Sequence, residues 1–185
     1  VNILKKDGSE KVLNEYELFS EINRDFSIPG TCSLGYNTTS FDDEISRNGF
    51  YRNLLPVYDR EWKNGCSRWD IINLIREYAF LYPDKIEIPK DENGKAVFKL
   101  DQLAPLNGFK EEGYHDALTD VRATIYMAKL VKDNAPKLWD FRIKNRLKNN
   151  NYSLMSSNIN KVILVTSSYF GTENEYVEPV MLLGL

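Results

Sequence analysis

Six residues, Thr31-Cys32-Ser33-Leu34-Gly35-Tyr36, constrain the fold of this chain more than any other stretch. They are short, largely apolar and closed by polar residues, which predicts a buried β-strand. Helical spacing flanks that strand on both sides. Upstream, Leu18, Ile22 and Phe26 fall four apart on one face of a helix that starts near Leu13 and that Pro29-Gly30 ends. Downstream, residues 43 to 54 read as a second helix, with Ile45, Phe50 and Leu54 expected to face inward. A helix–strand–helix run of this kind predicts an α/β fold. It also places Asp42 just beyond the carboxyl end of the strand, where ligand sites gather in open α/β sheets.

The chain continues in the same style. Arg68 to Ile72 predicts a second short strand that runs into a helix reaching about Tyr82, closed by Pro83. Ile86-Glu87-Ile88 and Val97-Phe98-Lys99 flank Asn93-Gly94, the pattern of a β-hairpin. Leu100 to Leu106 reads as a short helix ahead of Asn107-Gly108, and the stripe Leu118, Val121, Ile125, Ala128 predicts a long one from Asp116 to about Lys132. Residues 137 to 148 read as a further helix and Asn149-Asn150-Asn151 as a linker. Beyond it, residues 161–166 and 176–181, separated by Gly171, predict strands of a different unit. The expected domains are therefore residues 1–148 and 149–185.

With 42% hydrophobic residues and 12% aromatic ones, the 185-residue chain has the means to pack a core. No apolar run approaches the length of a membrane span and no signal-peptide pattern is present, so a cytoplasmic protein without a membrane partner is expected. Cys32 and Cys66 lack metal-ligand spacing and read as reduced thiols. A net charge of −3 argues against wholesale coating of nucleic acid, yet leaves room for a local cationic groove. Residues 137 to 148 hold Lys137, Arg142, Lys144, Arg146 and Lys148 against Asp140 alone. Such a run reads first as a solvated face. Val1 is not a start methionine and the last six residues are mostly apolar, so a fragment of a longer chain is expected.

His115 is the only histidine, and it stands five residues ahead of Asp120 where a helical pattern begins. Taken alone, it reads as a surface residue capping a helix. The acidic run Asp42-Asp43-Glu44 behind Gly35-Tyr36-Asn37 turns attention to phosphodiester cleavage instead. That reaction needs carboxylates to hold hard divalent cations and a base to activate water. Asp42 and Asp120 would supply ligands from two helix starts. An imidazole titrating near neutrality suits the general base.

Asn37-x-x-x-Phe41-Asp42 and His115-x-x-x-x-Asp120 resemble the second and third motifs of the DEDDh 3′–5′ exonucleases, which have a ribonuclease H-like fold. The fuller pattern is more specific. Gly35-Tyr36-Asn37, Phe41-Asp42-Asp43-Glu44, Arg47-Asn48, Phe50-Tyr51-Arg52-Asn53, Ser67-Arg68-Trp69-Asp70, Asn107-Gly108, His115-Asp116-Ala117 and Ala128-Lys129-Leu130-Val131-Lys132 together resemble the exodeoxyribonuclease I family. The resemblance implies metal-site aspartates at Asp42 and Asp120, a general base at His115 and a two-metal Mg2+ centre. It also implies hydrolysis of single-stranded DNA from the 3′ end to nucleoside 5′-monophosphates. Single-stranded DNA and a single-strand-binding protein are the implied partners of a monomeric parent. The family's opening Asp-x-Glu pair has no counterpart on an apolar strand here. The expectation is therefore an exonuclease domain lacking its first strands, followed by the first strands of an SH3-like β-domain, and inactive alone.

Tyr58 and Trp62, four apart, read by themselves as core or helix-surface packing. The resemblance instead places Arg47, Tyr58, Trp62, Arg76 and Phe141 along the DNA path, with Lys99 where the family commonly has an arginine. A lysine there keeps the charge and loses the bidentate fork. Two other readings share parts of the pattern: a non-catalytic single-strand-binding protein, and an oligoribonuclease-like RNA exonuclease.

Overall fold

The structure, a computed structural model, describes residues 2–4, 10–110, 117–171 and 176–184. The chain divides into two compact units, Val1–Trp69 and Asp70–Leu185. Both mix helix and strand.

In the first unit, β1 (Asn2–Leu4) pairs antiparallel with β2 (Glu10–Val12). Helix α1 (Glu15–Phe26) starts where Asn14 and Glu17 cap each other's backbone N–H groups at 2.9 and 3.0 Å. That reciprocal arrangement satisfies two donors the first helical turn leaves open. Phe19 of α1 is buried and meets Phe50 edge-on at 5.7 Å. Phe50 lies on α2 (Asp42–Arg52), beside Gly49, where a Cβ would stand 2.0 Å from the Phe19 ring. Only glycine allows the two helices that approach. The expected buried strand forms as β3 (Cys32–Gly35), half-buried, and pairs with β4 (Ser67–Asp70). Between them lies the short α3 (Asp59–Trp62).

One face of α2 differs from expectation. Phe50 is fully buried, but Ile45 and Leu54 are exposed, and Asp43 points inward in their place. Seven residues are close to two helical turns, so Asp43 and Phe50 share a face that Ile45 cannot join. Asp43 is stable there because Arg60 and Arg68 both reach it.

The second unit is built on α4 (Ile72–Leu81), whose Ile72, Leu74, Ile75, Tyr78 and Ala79 are buried. Helices α5 (Leu100–Leu106) and α6 (Ala117–Asn134) pack on each other, and α6 packs on α7 (Pro136–Asn145). The buried face of α6 is Thr119, Ala123, Thr124, Met127, Ala128 and Val131. Of the expected stripe only Ala128 is inside; Leu118, Val121 and Ile125 are about half exposed. Helix α6 carries apolar residues nearly all round, so periodicity alone does not choose its inner side.

Two further expectations are corrected. The Asn149–Asn151 linker is helical, inside α8 (Lys148–Ser156). The hairpin around Asn93-Gly94 is reduced to one isolated bridge, Lys90 to Ala96. Its first arm is diverted, since the Glu87 backbone bonds both ways with the Asn107 side-chain amide, at 2.9 and 2.8 Å. The two stretches expected to be strands form β5 (Val162–Thr166) and β6 (Val177–Met181), which pair antiparallel with Ile163 facing Val180. Both pack against α4.

Candidate nucleic-acid interface

The residues expected to bind or cleave nucleic acid fall in both units. In the first, Asp42 opens α2 just after a short 3-10 turn, Thr38–Ser40, that follows β3. Its side chain is exposed, while that of Asp43, the next residue, is 6% exposed. Arg60 holds one Asp43 oxygen at 2.8 Å and Arg68 holds the other. Arg60 is itself 3% exposed and lies over the Phe26 and Phe50 rings. Two cations on one buried carboxylate compensate the lost hydration, and they fix the first turn that presents Asp42.

A second carboxylate, Glu61, extends the network outward. It accepts from Arg47 Nε at 2.9 Å and Nη2 at 3.0 Å, and pairs with Arg68 Nε at 3.1 Å. Glu44 also accepts from Arg47. These bonds, led by Glu61, raise the Arg47 pKa above its already high ordinary value, so the guanidinium stays charged. Its Cζ lies 5.5 Å from the centre of the Tyr58 ring. Arg47 and Tyr58 are therefore brought together, a cation beside an aromatic face. Tyr58, just before α3, is 56% exposed, and Trp62, its last residue, 67%. Neither serves the core. Exposed aromatic faces next to a fixed cation are what a single strand's bases and phosphates use.

The second unit treats its candidates differently. Arg76 is buried, 3.8 Å from the centre of the Tyr176 ring and 5.8 Å from that of Phe98, with Nη1 donating to Asn73 at 2.9 Å. Phe98 and Tyr176 meet edge-on at 5.8 Å. Lys99, next after Phe98, is exposed at the start of α5. Phe141 is 43% exposed on α7. Asp120 is exposed in the first turn of α6. His115 lies outside the described residues.

Sequence reasoning missed Glu77. Its carboxylate is buried in α4 and accepts from Arg142 Nε and Nη2 and, at 2.6 Å, from the Thr166 hydroxyl. One side chain thus ties α4, α7 and β5, and Arg142 leaves the basic face it was expected to join. The available signal was a lone carboxylate inside an apolar helical run. Among the described residues no three of His, Cys, Asp and Glu gather in a group able to hold a metal ion. Nor is any described helix long and apolar enough to cross a membrane.

The fold matches those of solved nucleases. A moderately thermophilic exonuclease I from Methylocaldum szegediense superposes at a TM-score of 0.85 with 42% identity, over 92% of this chain and 36% of that one. Escherichia coli exonuclease I in complex with a dA16 oligonucleotide gives 0.82 and 37% over the same shares. An ExoI/SSB-Ct complex gives 0.82 and 37% over 91% of this chain and 36% of that one. The class is the ribonuclease H-like exonuclease fold.

Curated sequences show the same likeness. Exodeoxyribonuclease I of Buchnera aphidicola subsp. Schizaphis graminum is 44% identical over 171 residues, 92% of this chain and 36% of the relative. That of Escherichia coli K12 is 38% identical over 169 residues, 91% and 36%. The chain resembles exodeoxyribonuclease I over most of its own length and spans about a third of the length of these relatives. No family model matches it.

Proposed function

We propose that the chain is part of a metal-dependent nuclease that hydrolyses single-stranded DNA from the 3′ end to nucleoside 5′-monophosphates. The observation behind this is its likeness to exodeoxyribonucleases I, at 38–46% identity over most of the chain and with solved complexes on oligonucleotides. In this reading each unit offers its own contacts to the strand. Tyr58 and Trp62 stack on bases beside Arg47 in the first; Arg76, Lys99 and Phe141 serve the second. His115 is the general base that takes a proton from water.

Mg2+ is the cofactor this reading expects, and it would supply positive charge against the phosphate and lower the pKa of water. Asp42 and Asp120 are the carboxylates the chain would offer. The family's opening Asp-x-Glu pair has no counterpart on an apolar strand of this sequence, so Asp42 and Asp120 would lack the partners such a centre needs. The 185-residue chain alone is accordingly proposed to bind single strands and to hydrolyse them little or not at all. Residues 1–148 would then be exonuclease domain, and residues from 149 on, including the β5–β6 hairpin, the opening of an SH3-like β-domain. Single-strand-binding protein is the proposed protein partner and the cytoplasm the proposed location.

Binding and cleavage are tested separately. Fluorescence anisotropy with a labelled oligothymidylate is expected to show binding by the purified chain. Ladder analysis of a 5′-labelled oligonucleotide with Mg2+ is expected to show no stepwise shortening. Shortening would overturn the inactivity of the chain alone. Absence of any single-strand binding would overturn the nucleic-acid reading. Stronger binding to a matched RNA oligomer would favour the RNA exonuclease instead, because the 2′-hydroxyl is what distinguishes the two.

A further inference from the structure

Leu54 is the least comfortable residue of the first unit, on two independent counts. Its φ is +56°, in the left-handed region. It is also 95% exposed, so no packing within the protein compensates for that backbone. The conformation has a local origin. After α2 the Leu54 N–H donates to the Tyr51 carbonyl at 3.2 Å, and the Leu55 N–H donates to the Phe50 carbonyl at 2.9 Å. That pair of bonds is the Schellman closure of a helix, and Leu54 holds the position where glycine is strongly preferred. A leucine there is strained and gives nothing to the core. A bulky residue in a sparsely populated conformation points to a use for its side chain.

The neighbours indicate the use. Tyr51, one turn back on α2, is 73% exposed, and Tyr58 and Trp62 are 56% and 67% exposed. Leu54 and Tyr58 are four positions apart, so their Cα atoms stand at most about 14 Å from each other, within a short stretch of single strand. We propose that the helix-terminal Leu54 is a further nucleic-acid contact, its isobutyl group held out by the left-handed turn to pack against an unstacked base next to the Tyr58–Trp62 platform. The proposal rests on the single-strand reading given above. An apolar side chain suits an unstacked base, which presents a flat, poorly hydrated face. The left-handed backbone fixes the direction of the side chain, so less freedom is lost on binding.

Leu54→Gly separates this role from a structural one, because the two effects have opposite signs. Glycine relieves the left-handed strain, so the melting temperature of the full chain is expected to rise. The dissociation constant for a labelled oligothymidylate is expected to increase about fivefold, the size expected for a partly buried leucine side chain. Leu54→Ala, which keeps the strain and removes most of the side chain, is expected to weaken binding similarly without the gain in melting temperature. Trp62→Ala is the internal reference. If Trp62→Ala weakens binding while Leu54→Gly and Leu54→Ala leave it unchanged, the Leu54 contact is refuted and the single-strand reading stands. If the unaltered chain binds no oligothymidylate, the single-strand reading falls and this contact with it.

Discussion

Asp43 and Glu77 are the buried carboxylates among the described residues, one in each unit, and each is the sequence neighbour of a residue expected in the site. Asp43 adjoins Asp42 and Glu77 adjoins Arg76. Their surroundings differ. Arg60, 3% exposed, and Arg68 take the two Asp43 oxygens, whereas Glu77 has Arg142, 29% exposed, and the Thr166 hydroxyl. The outcome for the neighbours also differs, since Asp42 is turned to solvent and Arg76 is stacked under Tyr176 and Phe98. The first unit offers an exposed surface on a rigid base, and in the second the candidate arginine also braces Phe98 and Tyr176.

The largest expected effect breaks the base of the first unit. Arg60→Ala leaves Asp43 buried with one of its two cations gone, and it should lower the unfolding free energy by about 3–5 kcal/mol. Arg142→Ala removes a partner that already meets water and leaves Glu77 the Thr166 hydroxyl, so about 1–3 kcal/mol is expected. Urea titrations of both variants give the order directly. An equal or reversed order would show that Asp43 depends no more on Arg60 than Glu77 does on Arg142.

Next in size are the effects on binding. Trp62→Ala should weaken single-strand binding by about 1–3 kcal/mol, with little change in stability because the ring is mostly exposed. Arg47→Ala should lower affinity and reduce the slope of log affinity against log salt by about 0.7, the share of one phosphate contact on a single strand. Arg76→Ala sharpens the contrast. Its guanidinium braces Phe98 and Tyr176, so its loss should reduce the melting temperature well beyond the loss seen with Arg47→Ala. A fully stable Arg76→Ala protein would place that side chain in the interface alone.

What the sequence made legible follows the same division. The order of elements was readable, because Pro29-Gly30, Pro83 and Ala135-Pro136 punctuate it and the strand Cys32–Gly35 is apolar enough to stand out. Which face turns inward was not. Ile45 lost the inner side of α2 to Asp43, whose partners lie 17 and 25 residues further on, a pairing no local pattern reveals, and Leu54 falls past the helix end. On α6 small residues around Ala123 and Met127 pack, and Leu118, Val121 and Ile125 stay half exposed. The hairpin at Asn93-Gly94 lost its first arm to the Asn107 amide, twenty residues away. Of the candidate site, the aromatic spacing of Tyr58 and Trp62 was visible as a pattern, but their exposure was not. Arg76 lies inside because Tyr176, a hundred residues later, covers it.

The smallest effect concerns a buried hydroxyl beside Glu77. Tyr78 has no exposed surface, and among the described residues its hydroxyl has no hydrogen-bond partner. Burial, with a lesser contribution from Tyr82, pushes its pKa above the ordinary tyrosine value. The folded state therefore binds this proton more tightly than the unfolded chain does. Stability is fully present below the unfolded pKa of about 10, and it is lost as pH rises from there toward the folded value. Tyr78→Phe removes that proton and the unsatisfied oxygen together. At neutral pH it should be nearly neutral or slightly stabilising, because an unpaired buried polar group is replaced by an apolar one of the same shape. Above about pH 10 the variant should keep stability that the unaltered protein loses. Urea midpoints at pH 7 and pH 10.5 measure both arms. Parallel losses in the two proteins would assign the alkaline transition to other groups.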